Sequence, residues 1–217
     1  MTSSTAVNRT ARRWVTAGVL TSVAAVALSG CADDGPKTTD ARDVAAFTHV
    51  TNDSSADVRI RVGRPLHVQV VAPKKVVDDV RTEVRDGTLH VTHGVTHAVV
   101  EVDVPSLDAL GSSGSGDVSA KGIDSDALAV EADGSGDLEL TGTTQQLTVD
   151  QRGSGDLDLG HLSSADAQVS TKGSGDTDLW VEASLDLRTD GSGDVEYRGD
   201  PAVTKDLNGS GDVEQSD

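Results

Sequence analysis

The tetrapeptide Gly-Ser-Gly-Asp occurs six times, starting at Gly114, Gly134, Gly153, Gly173, Gly191 and Gly209, at intervals of 20, 19, 20, 18 and 18 residues. A period of this length marks a repeat architecture, in which each unit buries its apolar face only against its neighbours. After each motif, apolar residues alternate: Val118 and Ala120, Leu138 and Leu140, Leu157 and Leu159, Thr177 and Leu179, Val195 and Tyr197. A glycine recurs near the next corner (Gly122, Gly142, Gly160, Gly199), and a second alternating run leads to the next motif, as in Leu128 with Val130 or Leu147 with Val149. Two short strands and two tight corners per 18–20 residues predict one coil of a single-stranded parallel β-helix. Six coils at the strand spacing of about 4.8 Å make a rod of roughly 25–30 Å. Parallel crossovers favour right-handed winding.

The glycines Gly114, Gly116, Gly134, Gly136, Gly153, Gly155, Gly173, Gly175, Gly191, Gly193, Gly209 and Gly211 are structural turn residues in this reading, serving corners that need positive φ or close backbone approach. Ahead of the repeats, Val58, Ile60 and Val62 alternate with charged residues, as do Leu66, Val68 and Val70, and then Ala98, Val100, Val102 and Val104 before Pro105. This predicts a short strand-rich part with one wet face. Val77, Val80 and Val84 stand at helical spacing after Pro73, which predicts one or two helical turns. Asp86-Gly87 predicts a hairpin with Val84 opposite Leu89.

The first 31 residues read as an address. Arg9, Arg12 and Arg13 form a positive region, and Trp14 to Leu28 is apolar but too short and too rich in small residues for a spanning helix. The segment ends in Leu28-Ser29-Gly30-Cys31, which resembles a bacterial lipobox, and Cys31 is the only cysteine. Residues 1–30 are therefore expected to be a lipoprotein signal peptide and Cys31 the lipidated first residue of an extracytoplasmic protein held at the cell membrane of a bacterium. Residues 31–46 are the lipidated cysteine and its tether. From Ala32 to about Ala45 no apolar period appears, so a flexible coil reaching on the order of 20 Å is expected. Residues 47–217 are the folded domain, with the repeats over 111–213.

Loss of three arginines with the leader leaves 15 basic against 36 acidic residues, a formal charge of −21. Such a surface repels nucleic acid. A single cysteine excludes intrachain disulfides. Beyond the leader the aromatics are Phe47, Trp180 and Tyr197 alone, a poor supply for the walls of a ligand pocket.

Phe47 with Asp57-Val58, the turn Asp86-Gly87-Thr88-Leu89, the run Val102-Asp103-Val104-Pro105-Ser106-Leu107 and the repeated Gly-Ser-Gly-Asp together resemble the GIN domain, also labelled an auto-transporter adhesin head domain. The resemblance covers about residues 47–213. It implies a right-handed β-helix of the kind carried on bacterial lipoproteins and envelope proteins, and it brings no catalytic residues to this chain.

Stacking the coils puts Asp117, Asp137, Asp156, Asp176, Asp194 and Asp212 in one column. Ser119, Glu139, Asp158, Asp178, Glu196 and Glu214 stand two residues on, in a second. Adjacent carboxylates at about 4.8 Å repel by roughly 0.9 kcal/mol even in water, which full solvation or bound cations would relieve. Calcium is thus a candidate ligand, held by Asp117, Asp137, Glu139, Asp156, Asp158, Asp176, Asp178, Asp194, Glu196 and Asp212. The motif is similar to the calcium repeats of β-rolls, although those have half this period. The competing reading is structural: an Asp after a tight turn caps it, and an acidic face keeps the stack soluble.

The residue before each motif (Ser113, Asp133, Arg152, Lys172, Asp190, Asn208) predicts two inter-coil pairs, Asp133 with Arg152 and Lys172 with Asp190. Lys205 breaks the apolar column of Val130, Val149, Val169 and Leu187, as a cap on the last coil or a contact surface would. His90, His93 and His97 are close in sequence but alternate in direction on a strand, so surface positions are favoured over a zinc site. The motif serines lack the strand-to-helix setting of a nucleophile. Coils so uniform leave no loops for the cleft of a polysaccharide lyase, and the acidic columns contain no base. The expectation is a lipid-anchored, non-catalytic β-helix that acts as an adhesin-like scaffold on a protein or glycan partner. Calcium binding is the alternative, and a polysaccharide-active enzyme a minor one.

Overall fold

A computed structural model describes residues 35–216. Its strands are β1 (Lys37–Arg42), β2 (His49–Asn52), β3 (Asp57–Val62), β4 (His67–Pro73), β5 (Arg81–Arg85), β6 (Thr88–Thr92), β7 (Val99–Val104), β8 (Ala109–Ser112), β9 (Val118–Ala132), β10 (Leu138–Gln151), β11 (Leu157–Thr171), β12 (Thr177–Thr189), β13 (Val195–Arg198), β14 (Ala202–Leu207) and β15 (Val213–Gln215). All fifteen belong to one hydrogen-bonded sheet.

From β9 onward this sheet is a parallel solenoid. Each long strand starts after one Gly-Ser-Gly-Asp, bends at the intermediate corner and ends before the next motif. It pairs in parallel with its successor through both halves, as in Leu138↔Leu157 and Val149↔Val169. The two-residue alternation sends Leu138, Leu140, Leu147 and Val149 inward, and their counterparts on β9, β11 and β12 are buried. Burial of each such side chain contributes about 1.5–3 kcal/mol, so the stacked interior dominates the stability of the rod.

The N-terminal strands extend the same solenoid rather than preceding it. β2 pairs in parallel with β8 and β3 with β9, so residues 49–62 form a coil directly beneath the first repeat. A further coil, β6 and β7, lies outside it, with Val50 in register with Leu89 and Val58 with Val100. Chain order and spatial order differ here, because the chain makes the second coil, then the outermost one, and then crosses back into the repeats. The outermost coil is closed by antiparallel strands: β4 on β7, β1 on β4, and β5 on β6. Its parallel edge is thereby covered, the usual remedy for an exposed strand edge.

Two local expectations are corrected. Residues 37–42 are not flexible coil: six register pairs run from Lys37↔Pro73 to Arg42↔Val68, and Arg42 Nη2 donates to the Val77 carbonyl at 2.9 Å. Its inner face is only half-buried and is made of Thr38, Asp40 and Arg42, so no apolar alternation marks it and its composition reads as a tether. No helix follows Pro73 either. The Val76 and Val77 N–H groups both bond to the Pro73 carbonyl, and Asp79 N–H bonds to that of Val76, giving consecutive turns. Val77 and Val80 reach the core from these turns, whereas Val84 belongs to β5. The hairpin is as expected, with Val84 opposite Leu89 and positive φ at Asp86 (49°) and Gly87 (78°).

At the far end, β14 pairs only with β12 and β15 only with β13. Lys205 is in register with Leu187, in the core column, and its Nζ lies 5.1 Å from the centroid of the Tyr197 ring. The ammonium covers the last aromatic of the core by a cation–π contact, so the column ends in a charge.

Candidate functional site

The Gly-Ser-Gly-Asp corner is where successive coils approach most closely. A Cβ on any of its twelve glycines, from Gly114 to Gly211, would lie 1.8–2.3 Å from a carbonyl oxygen of the coil below. None of the twelve has a positive φ; closeness alone demands glycine there. Across this gap the motif serines donate their backbone N–H to the preceding coil, for example Ser154 to Gly134 at 3.1 Å. The intermediate corners use glycine differently: Gly122, Gly142 and Gly199 have positive φ, and Gly160 instead makes room for the Arg198 guanidinium.

The motif aspartates form a ladder. Oδ1 of Asp117 accepts the backbone N–H of Asp137 at 3.0 Å, Asp137 that of Asp156 at 2.9 Å, and Asp156 that of Asp176 at 2.9 Å. Asp176 and Asp194 continue it to Asp194 and Asp212, both at 2.8 Å. Asp57 starts it with a longer 3.4 Å bond to Asp117 N–H, which identifies Ser54-Ser55-Ala56-Asp57 as a degenerate copy of the motif. From Asp57 to Asp194, each carboxylate therefore satisfies a backbone donor on the next coil rather than in its own turn. An ionised acceptor makes such bonds stronger than a neutral one would.

The second column is also in register: Ser119, Glu139, Asp158, Asp178, Glu196 and Glu214 succeed one another across paired strands. Burial, reinforced by Glu196 and Asp158, raises the Asp178 carboxyl above the usual range, and Arg198 opposes the shift. Bases flank these columns. Arg59 stands below Ser119, Lys121 pairs with Glu139 at 3.1 Å, and His161 Nδ1 is 3.7 Å from Asp158. Lys121, Thr141 and His161 lie in register, and Trp180 with Arg198, two residues beyond the second column or a step further where the strand bulges.

The proposed cation ligands Asp117, Asp137, Glu139, Asp156, Asp158, Asp176, Asp178, Asp194, Glu196 and Asp212 are thus stacked, but they do not converge. Among the described residues, no group of three or more His, Cys, Asp or Glu is placed to hold a metal ion. Translation by one strand spacing keeps the carboxylates parallel, whereas calcium wants six to eight oxygens around one point. The histidines do not converge either. His90 Nδ1 is 2.8 Å from Thr51 Oγ1, while His93 and His97 occupy strained corner positions at φ 53° and 72°.

Beside the motif, Arg152 joins Asp133 at 3.1 Å and also meets Asp150. The second expected pair, Lys172 with Asp190, does not close as an ion pair among the described residues. A shallow groove of about 930 Å³ follows this corner, lined by the motif serines and glycines and by Asp133, Arg152, Lys172 and Asp190.

One set of residues escaped the sequence reading. The position two before the motif points into the corner and is small or polar in every coil but the last: Asn52, Ser112, Ala132, Gln151, Thr171 and Thr189, with the exposed Leu207 before the sixth motif. Asn52 Nδ2 donates to the Ala56 carbonyl at 2.9 Å. Gln151 Nε2 does the same for Gly155 at 2.8 Å, while its Oε1 accepts from Thr177 Oγ1 at 2.9 Å. Aligning the coils on their glycines exposes the pattern, since apolar residues fill the neighbouring inward columns. Cys31 and the leader lie outside the described residues.

These features define a parallel β-solenoid built on a glycine–aspartate corner. The family model described as "Putative auto-transporter adhesin, head GIN domain" matches residues 46–201, and the chain belongs to that family. Three solved structures share the fold. One described as a "putative adhesin" from Bacteroides fragilis is 21% identical, with 83% of this chain and 97% of that one aligned at a TM-score of 0.69. A "putative lipid binding protein" from Parabacteroides distasonis is 20% identical over 83% and 97%, at 0.53. A "putative adhesin" from the same organism is 18% identical over 84% and 98%, at 0.52. No curated protein matches the chain.

Proposed function

We propose that this chain is a lipid-anchored, extracytoplasmic, non-catalytic head module that presents the outer faces of its solenoid to a cell-envelope partner. Membership of an adhesin head family carries the reading. The coil lengths support it, because intervals of 18–20 residues supply no loops to wall a catalytic cleft. The anchor is supported by Arg9, Arg12 and Arg13, the apolar run to Leu28, and Leu28-Ser29-Gly30-Cys31. Several acyl chains on Cys31 hold a protein at a membrane where one would not.

Metabolic labelling of the full chain with a clickable palmitate analogue, followed by detergent phase separation, tests the anchor. The wild type is expected to take up label and enter the detergent phase, and Cys31→Ser to do neither. An unlabelled wild type, or a labelled Cys31→Ser, would remove the anchor from the account.

A further inference from the structure

Two asparagines fall among the described residues, and the fold treats them oppositely. Asn52 is fully buried. Its Oδ1 accepts from Ser54 N–H at 3.2 Å and from Ser54 Oγ at 2.7 Å, and its Nδ2 donates to the Ala56 carbonyl at 2.9 Å. The N–H that follows it, on Asp53, is bonded to Val91 O at 2.9 Å. Asn208 is exposed, and so is Gly209 after it. Its amide has one hydrogen bond among the described residues, from Nδ2 to Asp206 Oδ1 at 3.2 Å. In the first three motif corners the leading glycine N–H is bonded to the coil below: Gly114 to Asn52 O at 3.1 Å, Gly134 to Ser112 O at 3.1 Å and Gly153 to Ala132 O at 3.0 Å. Among the described residues the Gly209 N–H makes no such bond. No further described coil covers this corner, because β14 pairs only with β12 and β15 only with β13.

We infer that Asn208-Gly209 is a spontaneous deamidation site, at which the chain converts its own last corner to aspartate and isoaspartate. The chemistry needs a free backbone N–H, an amide carbon able to swing onto it, and no side chain in the way, and this pair supplies all three. The Gly209 nitrogen attacks Asn208 Cγ. The N–Cγ bond forms, the Cγ–Nδ2 bond breaks, and ammonia leaves with the proton of the glycine N–H. Water then opens the five-membered imide. Cleavage of its N–Cγ bond gives aspartate in the ordinary backbone. Cleavage at the main-chain carbonyl gives isoaspartate, whose backbone runs through Cγ and is one methylene longer. No oxidant takes part. Asp190-Gly191, one coil below, also lacks the glycine bond, but a carboxylate is a far poorer electrophile than an amide. The extra methylene would fall between the bonds from Asn208 N–H to Thr189 O at 2.8 Å and from Ser210 N–H to Gly191 O at 3.0 Å, so the two cannot both keep their register. A carboxylate at 208 would also stand over Asp190, adding like charge to the same column. The modified chain therefore loosens at β15, which β13 alone holds.

The test is peptide mass spectrometry on the full chain in detergent, kept folded in warm, mildly alkaline buffer and sampled over days. Isoaspartate is read in the same samples by methylation with an isoaspartyl methyltransferase. The peptide holding Asn208 is expected to gain one mass unit and accept methyl groups about tenfold faster, or more, than the peptide holding Asn52, which reacts only when its corner opens. Hydrogen exchange of residues 210–216 should rise in the aged wild type. It should stay constant in Asn208→Ser aged alongside, a change to the residue type that Ser113 sets before the first motif. An Asn208 that stays intact in the folded chain but converts in urea overturns the inference, because the corner then protects it. So does equal conversion at Asn52, which would reflect global unfolding, or aspartate formed without isoaspartate, which would be direct hydrolysis. Unchanged exchange at 210–216 in the isoaspartate form would overturn the loosening of the last coil.

Discussion

Gly155→Ala is expected to destabilise the domain by about 3 kcal/mol or more, at the upper end of overpacking effects. The new Cβ would lie 2.1 Å from the Gly136 carbonyl oxygen and 2.8 Å from its carbon. Those are backbone atoms in a hydrogen-bonded stack, so no rotamer change relieves the clash. The coils must part, weakening the bond from Ser154 N–H to Gly134 O. For a domain of this size the loss is a fall in Tm of roughly 6–12 °C. Gly160→Ala is the internal control. Its Cβ meets the far end of the Arg198 side chain, which can swing away, so the cost should stay below about 1 kcal/mol. Thermal melts of the two variants check the pair, and equal losses would show that the motif glycines are not set by coil spacing.

Gln151→Leu is expected to cost about 2–4 kcal/mol, although it makes a fully buried side chain more apolar. The amide serves two groups that water cannot reach: the Gly155 carbonyl, which takes its N–H, and the Thr177 hydroxyl, which donates to its oxygen. Leucine leaves both unpaired, and each buried orphan costs about 1–3 kcal/mol. Adding Thr177→Val removes one orphan and should restore a good part of the loss. Urea midpoints of the single and double variants measure this. A Gln151→Leu protein as stable as the wild type would mean that the polar column inside the corner contributes nothing.

The solenoid was legible because its signals are local and repeated. Alternation fixes which of Leu138, Glu139 and Leu140 turn inward, and the motif spacing fixes which residues stack, so both acidic columns and the Asp133–Arg152 pair follow from counting. The hairpin at Asp86-Gly87 is equally local. What the sequence hid depends on partners chosen across the fold. Ser54-Ser55-Ala56-Asp57 keeps only a serine and the aspartate of the motif, and nothing in it says that its coil slots between β7 and β9. Val50 pairs with both Leu89 and Leu110, 39 and 60 residues on, a choice made by closing the end of the stack. β1 is invisible to hydrophobic periodicity because its half-buried face is made of Thr38, Asp40 and Arg42. The aspartates were placed correctly, but their acceptor role runs between coils, and only stacked backbones reveal which N–H lies within reach.

The central claim is that the motif carboxylates bind backbone rather than metal, and the thermal unfolding of Asp156→Ala and Asp156→Asn in EDTA and in millimolar calcium tests it most directly. Asp156→Ala removes the acceptor of Asp176 N–H and should lose about 1 kcal/mol, or roughly 2–4 °C. Asp156→Asn keeps an oxygen there and sheds like-charge repulsion, so it should melt near the wild type. Calcium should give each protein the same Tm as a sodium salt of equal ionic strength. A ligand at 100 times its Kd stabilises by about 2.7 kcal/mol, so a calcium-specific rise of several degrees in the wild type, lost equally in Asp156→Asn and Asp156→Ala, would contradict the account.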